Sequence, residues 1–332
     1  MRPAIEAVPR VVVALGGNAI TLPGGSGSVE EDYAGLEQSL AGIVTLVERG
    51  YRLTLTHGNG PQVGNQMIRV ERALGEAPDL PLSVMVADIQ GGLGYMMEQT
   101  LRNQLRRRGL KRQVCCIVTL VEVAPDDPAM NEPSKFVGPM MTREQALERQ
   151  EKEGWAVKED RGRGWRRVVP SPEPISIVER ESIELLVASD ALVITAGGGG
   201  VPVTREQNGE LSAVGGVVDK DLASTILGLE IGATELYILT GVQQVSVFYG
   251  EPEERKLERI TAGEARRFLE QGHFPAGSMG PKIEAACRFV EAGGKRALIT
   301  DAESLVAAVD GDGKGGPGTW IVPNEPLVTG SM

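Results

Sequence analysis

Glycines and lysines dominate the segments of this sequence whose residue types could do chemistry. An apolar run over 11–15 ends in Gly16-Gly17-Asn18-Ala19. Two glycines and an amide side chain directly after a strand let the backbone wrap an anionic oxygen, although the same residues also suit a tight turn. A second run, 53–56, ends in His57-Gly58-Asn59-Gly60-Pro61-Gln62-Val63-Gly64, with Pro61 suited to a first helical position. These glycines are spaced one residue too widely for a dinucleotide fingerprint, so a nicotinamide site is not supported, while an anion site at a helix start is. His57 could serve as a base or as a structural hydrogen-bonding group.

Four consecutive glycines, Gly197 to Gly200, follow an apolar run at 191–195. Each costs ~1 kcal/mol of backbone entropy, more than a plain turn calls for, which favours contact with a phosphate at Gly198 and Gly199. After Gly215-Gly216, the triplet Asp219-Lys220-Asp221 opens a helix, either as a solvated charge cluster or as a lysine held against a phosphoryl group. Gly277-Ser278-Met279-Gly280-Pro281-Lys282 opens another. A cation in a first turn opposes the helix dipole, so Lys282, unless solvated, calls for an anionic partner. Walker A spacing, H-E-x-x-H, C-x-x-C and G-x-S-x-G do not occur, and Lys314 spoils 310–314 as a calcium loop. Glycine loops at strand ends, lysines at helix starts and no covalent nucleophile suit phosphoryl transfer, which rests on positioning and charge neutralisation.

Positioning such loops needs strands that all end at one edge. Short β-branched runs at 11–15, 53–56, 114–120, 191–195, 236–239 and 297–299 alternate with helix-period segments. The helical segments include 89–105, 222–231 and 281–292. That alternation predicts βαβ units and a parallel sheet covered on both faces. Residues 124–174 break it with prolines, Trp155, Trp165 and many charges around one amphipathic helix over 142–153, and read as an inserted, partly exposed subdomain.

Composition closes off other classes. The 332 residues carry a net charge of −11, and no basic stripe stands out against it except runs at 102–112 and 161–167, the first of which reads as a solvated helix end. Nucleic-acid binding is therefore not expected, and because no stretch approaches the length of a transmembrane helix, neither is a membrane partner. Cys115, Cys116 and Cys287 lack metal spacing and read as buried free thiols in a reducing compartment, the cytoplasm. Glycine, at 43 residues, is nearly twice its usual ~7% share, an excess that falls largely in the loops above.

The loops named so far, together with Pro133-Ser134-Lys135 and the stretch 162–172, resemble the carbamate kinases of the amino acid kinase family in order over nearly the whole chain. The 162–172 stretch separates that branch from its relatives. The resemblance implies one αβα-sandwich domain with a mainly parallel central sheet, a small protruding lid at about 124–174, a homodimer, and reversible transfer between ATP and carbamate with Mg²⁺. It places carbamate or carbamoyl phosphate in the half 1–190 with Gly16, Gly17, Asn18, Gly58, Asn59 and Gly60. Lys135 would reach in from the lid. ATP or ADP would lie in the half 191–332, with Lys220, Tyr249, Met279 and Lys282 on the nucleotide and Asp221 organising the lysines. One departure is Gln243-Gln244, where the family carries an acid followed by Lys or Tyr; a milder one is Ala196, often Cys. The first puts nucleotide affinity in question. A same-fold ATP-dependent enzyme for another small carboxylate or carbamate-like anion stays open, as does, on the support of Gln243 alone, a nucleotide-binding relative without turnover.

Overall fold

A computed structural model describes residues 8–17, 20, 28–160, 164–275 and 277–324. Its centre is an eight-stranded sheet, ordered Arg259–Thr261, Thr319–Val322, Arg296–Thr300, Glu235–Leu239, Arg10–Leu15, Arg52–His57, Leu192–Ile194, Val114–Cys116. Every neighbouring pair is parallel except Arg296–Thr300 with Thr319–Val322. The expected mainly parallel sheet is thus present.

Period-two alternation divides the core into two layers. Val11, Val13 and Leu15 pack beneath the helices Val29–Glu48 and Leu82–Arg107, while Val12 and Ala14 face Lys220–Glu230 and Met279–Glu291 on the other side. Such doubly buried strands must be continuous apolar runs, which is why they stood out in the sequence. The basic run after residue 101 is tied down by acids, with Arg107 on Glu37 and Arg108 on Glu48.

Two expectations need correction. The run 114–120 is not one strand: Val114–Cys116 closes the central sheet, and Leu120–Val123 enters a second, four-stranded sheet. The break is held by the buried Gln90 side chain, whose Oε1 accepts from Thr119 N at 2.9 Å while its Nε2 donates to Thr119 O at 3.1 Å. Of the cysteines, Cys287 is buried, but Cys115 and Cys116 are only partly so, because their strand is the edge of the sheet.

The segment that broke the alternation forms a separate antiparallel unit. Lys135–Met141, Trp165–Val169 and Val157–Glu159 make a three-stranded sheet beside the helix Arg143–Glu153. That helix is closed by a capping box between Thr142 and Gln145 and by Gly154 at φ 68°. Leu120–Val123 and Pro174–Ile177, which flank the unit in sequence, pair antiparallel and form its stem. Among the described residues, no helix is long and apolar enough to cross a membrane.

Candidate active site

Parallel strands deliver their C-terminal ends to one edge, and the glycine loops meet there. Gly16 N donates to Leu239 O at 2.8 Å, and a Cβ on Gly16 would stand 2.7 Å from that same oxygen, so no side chain fits. Gly58 N donates to Leu15 O at 2.9 Å. A Cβ on Gly58 would lie 3.2 Å from Gly17 N and 3.5 Å from Lys220 Cδ, so the two N-terminal loops and this lysine are in contact. Asn18 lies outside the described residues.

Asn59 occupies the N-cap position of the helix Gly60–Ala73 but makes no side-chain cap bond. Its side chain turns instead toward the four-glycine turn, where Gly198 has φ 66° and a Cβ would come within 2.1 Å of Asn59 Nδ2. That Nδ2 is buried with no hydrogen-bond partner. A buried amide donor beside a glycine turn suits an acceptor atom of a ligand. The turn itself leaves the strand through Ala196, a non-glycine residue at φ 46°, whose N–H donates to Thr119 Oγ1 at 2.8 Å. Gln90 and Thr119 therefore support the turn from behind. Neither figured among the sequence candidates; the available signal was a glutamine on the apolar stripe of Leu82–Arg107.

Lysines converge on the start of the helix Lys220–Glu230. Asp219 caps it, its Oδ1 accepting from Asp221 N at 2.9 Å and Leu222 N at 3.4 Å. Asp221, 2% exposed, accepts from Lys220 through Oδ1 and from Lys282 through Oδ2, the latter at 2.8 Å. Lys282 thus has the anionic partner its position in a first turn required. Lys135 arrives from the antiparallel unit and its Nζ donates to Asp219 Oδ2 at 2.8 Å. Burial alone would raise the Asp221 carboxyl, but the two ammonium groups override it and hold it down at about 2. Burial, with Lys282 adding repulsion, lowers Lys220, and Asp221 opposes both.

His57 is buried at the end of its strand, with Nδ1 3.1 Å from Gly58 O and Nε2 2.4 Å from where a Gly197 Cβ would sit. Burial, aided by the Lys220 charge and opposed by the Gly58 carbonyl, lowers its pKa to about 4. Near neutral pH it is uncharged, and the Nδ1 contact makes that nitrogen the donor.

Beyond Lys282, a cavity of about 220 Å³ is lined by Val242, Gln244, Tyr249, Phe274, Ser278 and Met279. Two of the residues expected on the nucleotide, Tyr249 and Met279, share it. Gln243 does not line it: its Nε2 donates to Ser304 Oγ at 3.0 Å. Of the two glutamines that depart from the family pattern, only Gln244 faces the cavity, steadied by a 3.2 Å bond to Gly318 O.

Residues 9–301 match the model of the amino acid kinase family. The carbamate kinases of Pyrococcus horikoshii and Pyrococcus furiosus are each 45% identical over 95% of this chain and 99% of their own. The solved carbamate kinase from Giardia lamblia bound to AMP-PNP superposes with a TM-score of 0.89 at 39% identity, covering 96% of this chain and 99% of that one. The chain belongs to the amino acid kinase family, and within it to the carbamate kinases.

Proposed function

We propose that this chain catalyses reversible phosphoryl transfer between ATP and carbamate, giving ADP and carbamoyl phosphate. The observation that carries the reading is the convergence of Lys135, Lys220 and Lys282 on Asp219 and Asp221 beside the glycine turns. Three ammonium groups against two carboxylates leave the cluster one positive charge in excess, matched to the charge that builds on a transferred phosphoryl group.

Carbamate and the phosphoryl group lie against Gly16, Gly17, Asn18, Gly58, Asn59, Gly60, Gly198 and Gly199, with Asn59 Nδ2 supplying an open donor. The half 1–190 holds this substrate, the unit within 124–174 closes over it, and the half 191–332 holds the nucleotide. Lys220 and Lys282 lie along the phosphates, and Tyr249 and Met279 flank the cavity beyond. A carbamate oxygen is already anionic and attacks the γ-phosphorus in line without a general base. The buried, neutral His57 fits that economy.

Mg²⁺ neutralises phosphate charge in such reactions. Among the described residues no three His, Cys, Asp or Glu side chains group to hold a metal, and both site carboxylates are engaged by lysines. The ion fits this site as one carried by the phosphates and completed by water, as Mg²⁺ prefers. A homodimer, as the family resemblance suggests, in the cytoplasm, as the free cysteines suggest, completes the reading.

Purified protein given ADP, carbamoyl phosphate and Mg²⁺ is expected to form ATP. Lys220→Ala should lose about 10²-fold or more in kcat, the scale of a removed transition-state donor. Protein that binds ATP yet forms none, or that acts only on another acyl phosphate, would overturn the assignment.

A further inference from the structure

We infer that Asp219 is a positioning residue for the lid lysine, holding Lys135 over the phosphoryl position as Asp221 holds Lys220 and Lys282. The inference rests on the reaction proposed above and gives Asp219, there one of the two carboxylates the lysines meet, a distinct task. Asp219 divides its two oxygens between two tasks. Oδ1 caps the helix through Asp221 N at 2.9 Å and Leu222 N at 3.4 Å, which fixes the carboxylate whether or not Lys135 is near. Oδ2 is thereby aimed outward and takes Lys135 Nζ at 2.8 Å. An ammonium has three N–H donors, so one bond to Asp219 leaves two for a phosphoryl oxygen. The Lys135 side chain is 42% exposed and Asp219 16%, so the acceptor is fixed and enclosed while the lysine remains open to a ligand.

The antiparallel unit is built to bring the lysine to this acceptor. Lys135 pairs with Val169 and Val137 with Arg167, so Lys135, Val137 and Val169 share one face. Val137 and Val169 join Val63 and Met67 of the helix Gly60–Ala73 in one buried cluster, which seats the unit on the element that begins at the Asn59 loop. Where the unit returns to the body, Pro170 O accepts from Val217 N at 3.0 Å, two residues before Asp219. Gly216 makes that approach possible, since a Cβ there would stand 2.8 Å from Pro170 O. The acceptor and the seating of its lysine are therefore set by the same short segment.

Asp219→Asn separates the tasks, because asparagine caps a helix as well as aspartate does. With ADP and carbamoyl phosphate, we expect kcat to fall about tenfold while ADP affinity by calorimetry and the Mg²⁺ concentration dependence stay unchanged. Lys135→Ala should fall further, and the Lys135→Ala, Asp219→Asn double variant should match Lys135→Ala alone. Multiplicative losses in the double variant would overturn the inference, as would weakened ADP binding or a shifted Mg²⁺ requirement in Asp219→Asn. Amide hydrogen exchange over 135–141 in ligand-free protein reads the contact without turnover: both single variants should exchange faster and equally. Unchanged exchange in Asp219→Asn overturns the contact. Wild-type protein that forms no ATP overturns the reaction instead, and the exchange result then still decides whether Asp219 holds Lys135.

Discussion

The lysine cluster at the sheet edge, here the floor, and the antiparallel unit that meets it, here the upper unit, carry charge in two different ways. On the floor, Lys220 and Asp221 side chains are 12% and 3% exposed, and one carboxylate serves two ammonium groups within the packed body. In the unit above, Lys135 is 42% exposed, and Arg149 of the helix Arg143–Glu153 meets Glu71 at 3.2 Å with exposures of 34% and 23%. The floor's field is in place before any substrate arrives, whereas the upper contribution depends on docking between two parts of the chain. Buried charges are costly to leave unpaired and exposed pairs are cheap to break, so the two regions should respond very differently to the same kind of change.

Asp221→Asn should show the largest effect. It leaves Lys220 and Lys282 close together without their carboxylate, and removing one partner of a buried ionic group costs about 3–5 kcal/mol. Thermal or urea unfolding measures this directly, and nucleotide affinity should fall with it. A variant with wild-type stability would mean that the floor lysines find water or shed their protons, and the contrast with the upper unit would collapse.

How much of this was legible beforehand follows the same division. The strands at 11–15 and 53–56 and the loops after them could be read because a doubly buried strand and a glycine turn are local patterns, contained in a few adjacent residues. Lys282 could be read as needing an anion because a helix start is local too, but Asp221 lies 61 residues away and only folding brings the two together. The antiparallel unit was visible by its prolines and charges and by one capped helix. Its short strands were not, because they are half-exposed and have no long apolar run. Gln90 and Thr119 were missed for a related reason: hydrogen bonds that split an apolar run at Thr119 leave no trace in its hydropathy.

His57 extends the comparison to a floor residue that carries no charge. Its pKa is about 4 in the folded protein against an ordinary 6.5. Between those values the unfolded chain takes up a proton that the folded chain refuses, so stability present above pH 6.5 is lost as pH falls toward 4. At about 1.4 kcal/mol per unit, the loss comes to roughly 3 kcal/mol. His57→Gln, which keeps a donor for Gly58 O, should flatten the stability profile across that window. An identical slope in wild type and variant would show that His57 is protonated in the folded state after all.

Arg149→Ala should have the smallest effect, and it tests the upper region on its own terms. A partly exposed pair contributes about 0.2–1 kcal/mol, so global unfolding should barely move while hydrogen exchange over 143–153 quickens. Salt sharpens the distinction. At about 1 M the Debye length falls to ~3 Å, which weakens Arg149 with Glu71 but leaves Asp221 and its lysines shielded from solvent ions by burial. High salt should therefore reproduce the Arg149→Ala exchange pattern in wild-type protein and add little to it in the variant, while the stability gap between wild type and Asp221→Asn persists. If salt closed that gap as readily as it loosened the upper unit, the floor charges would have to be solvated, and they would form no preset field for a phosphoryl group.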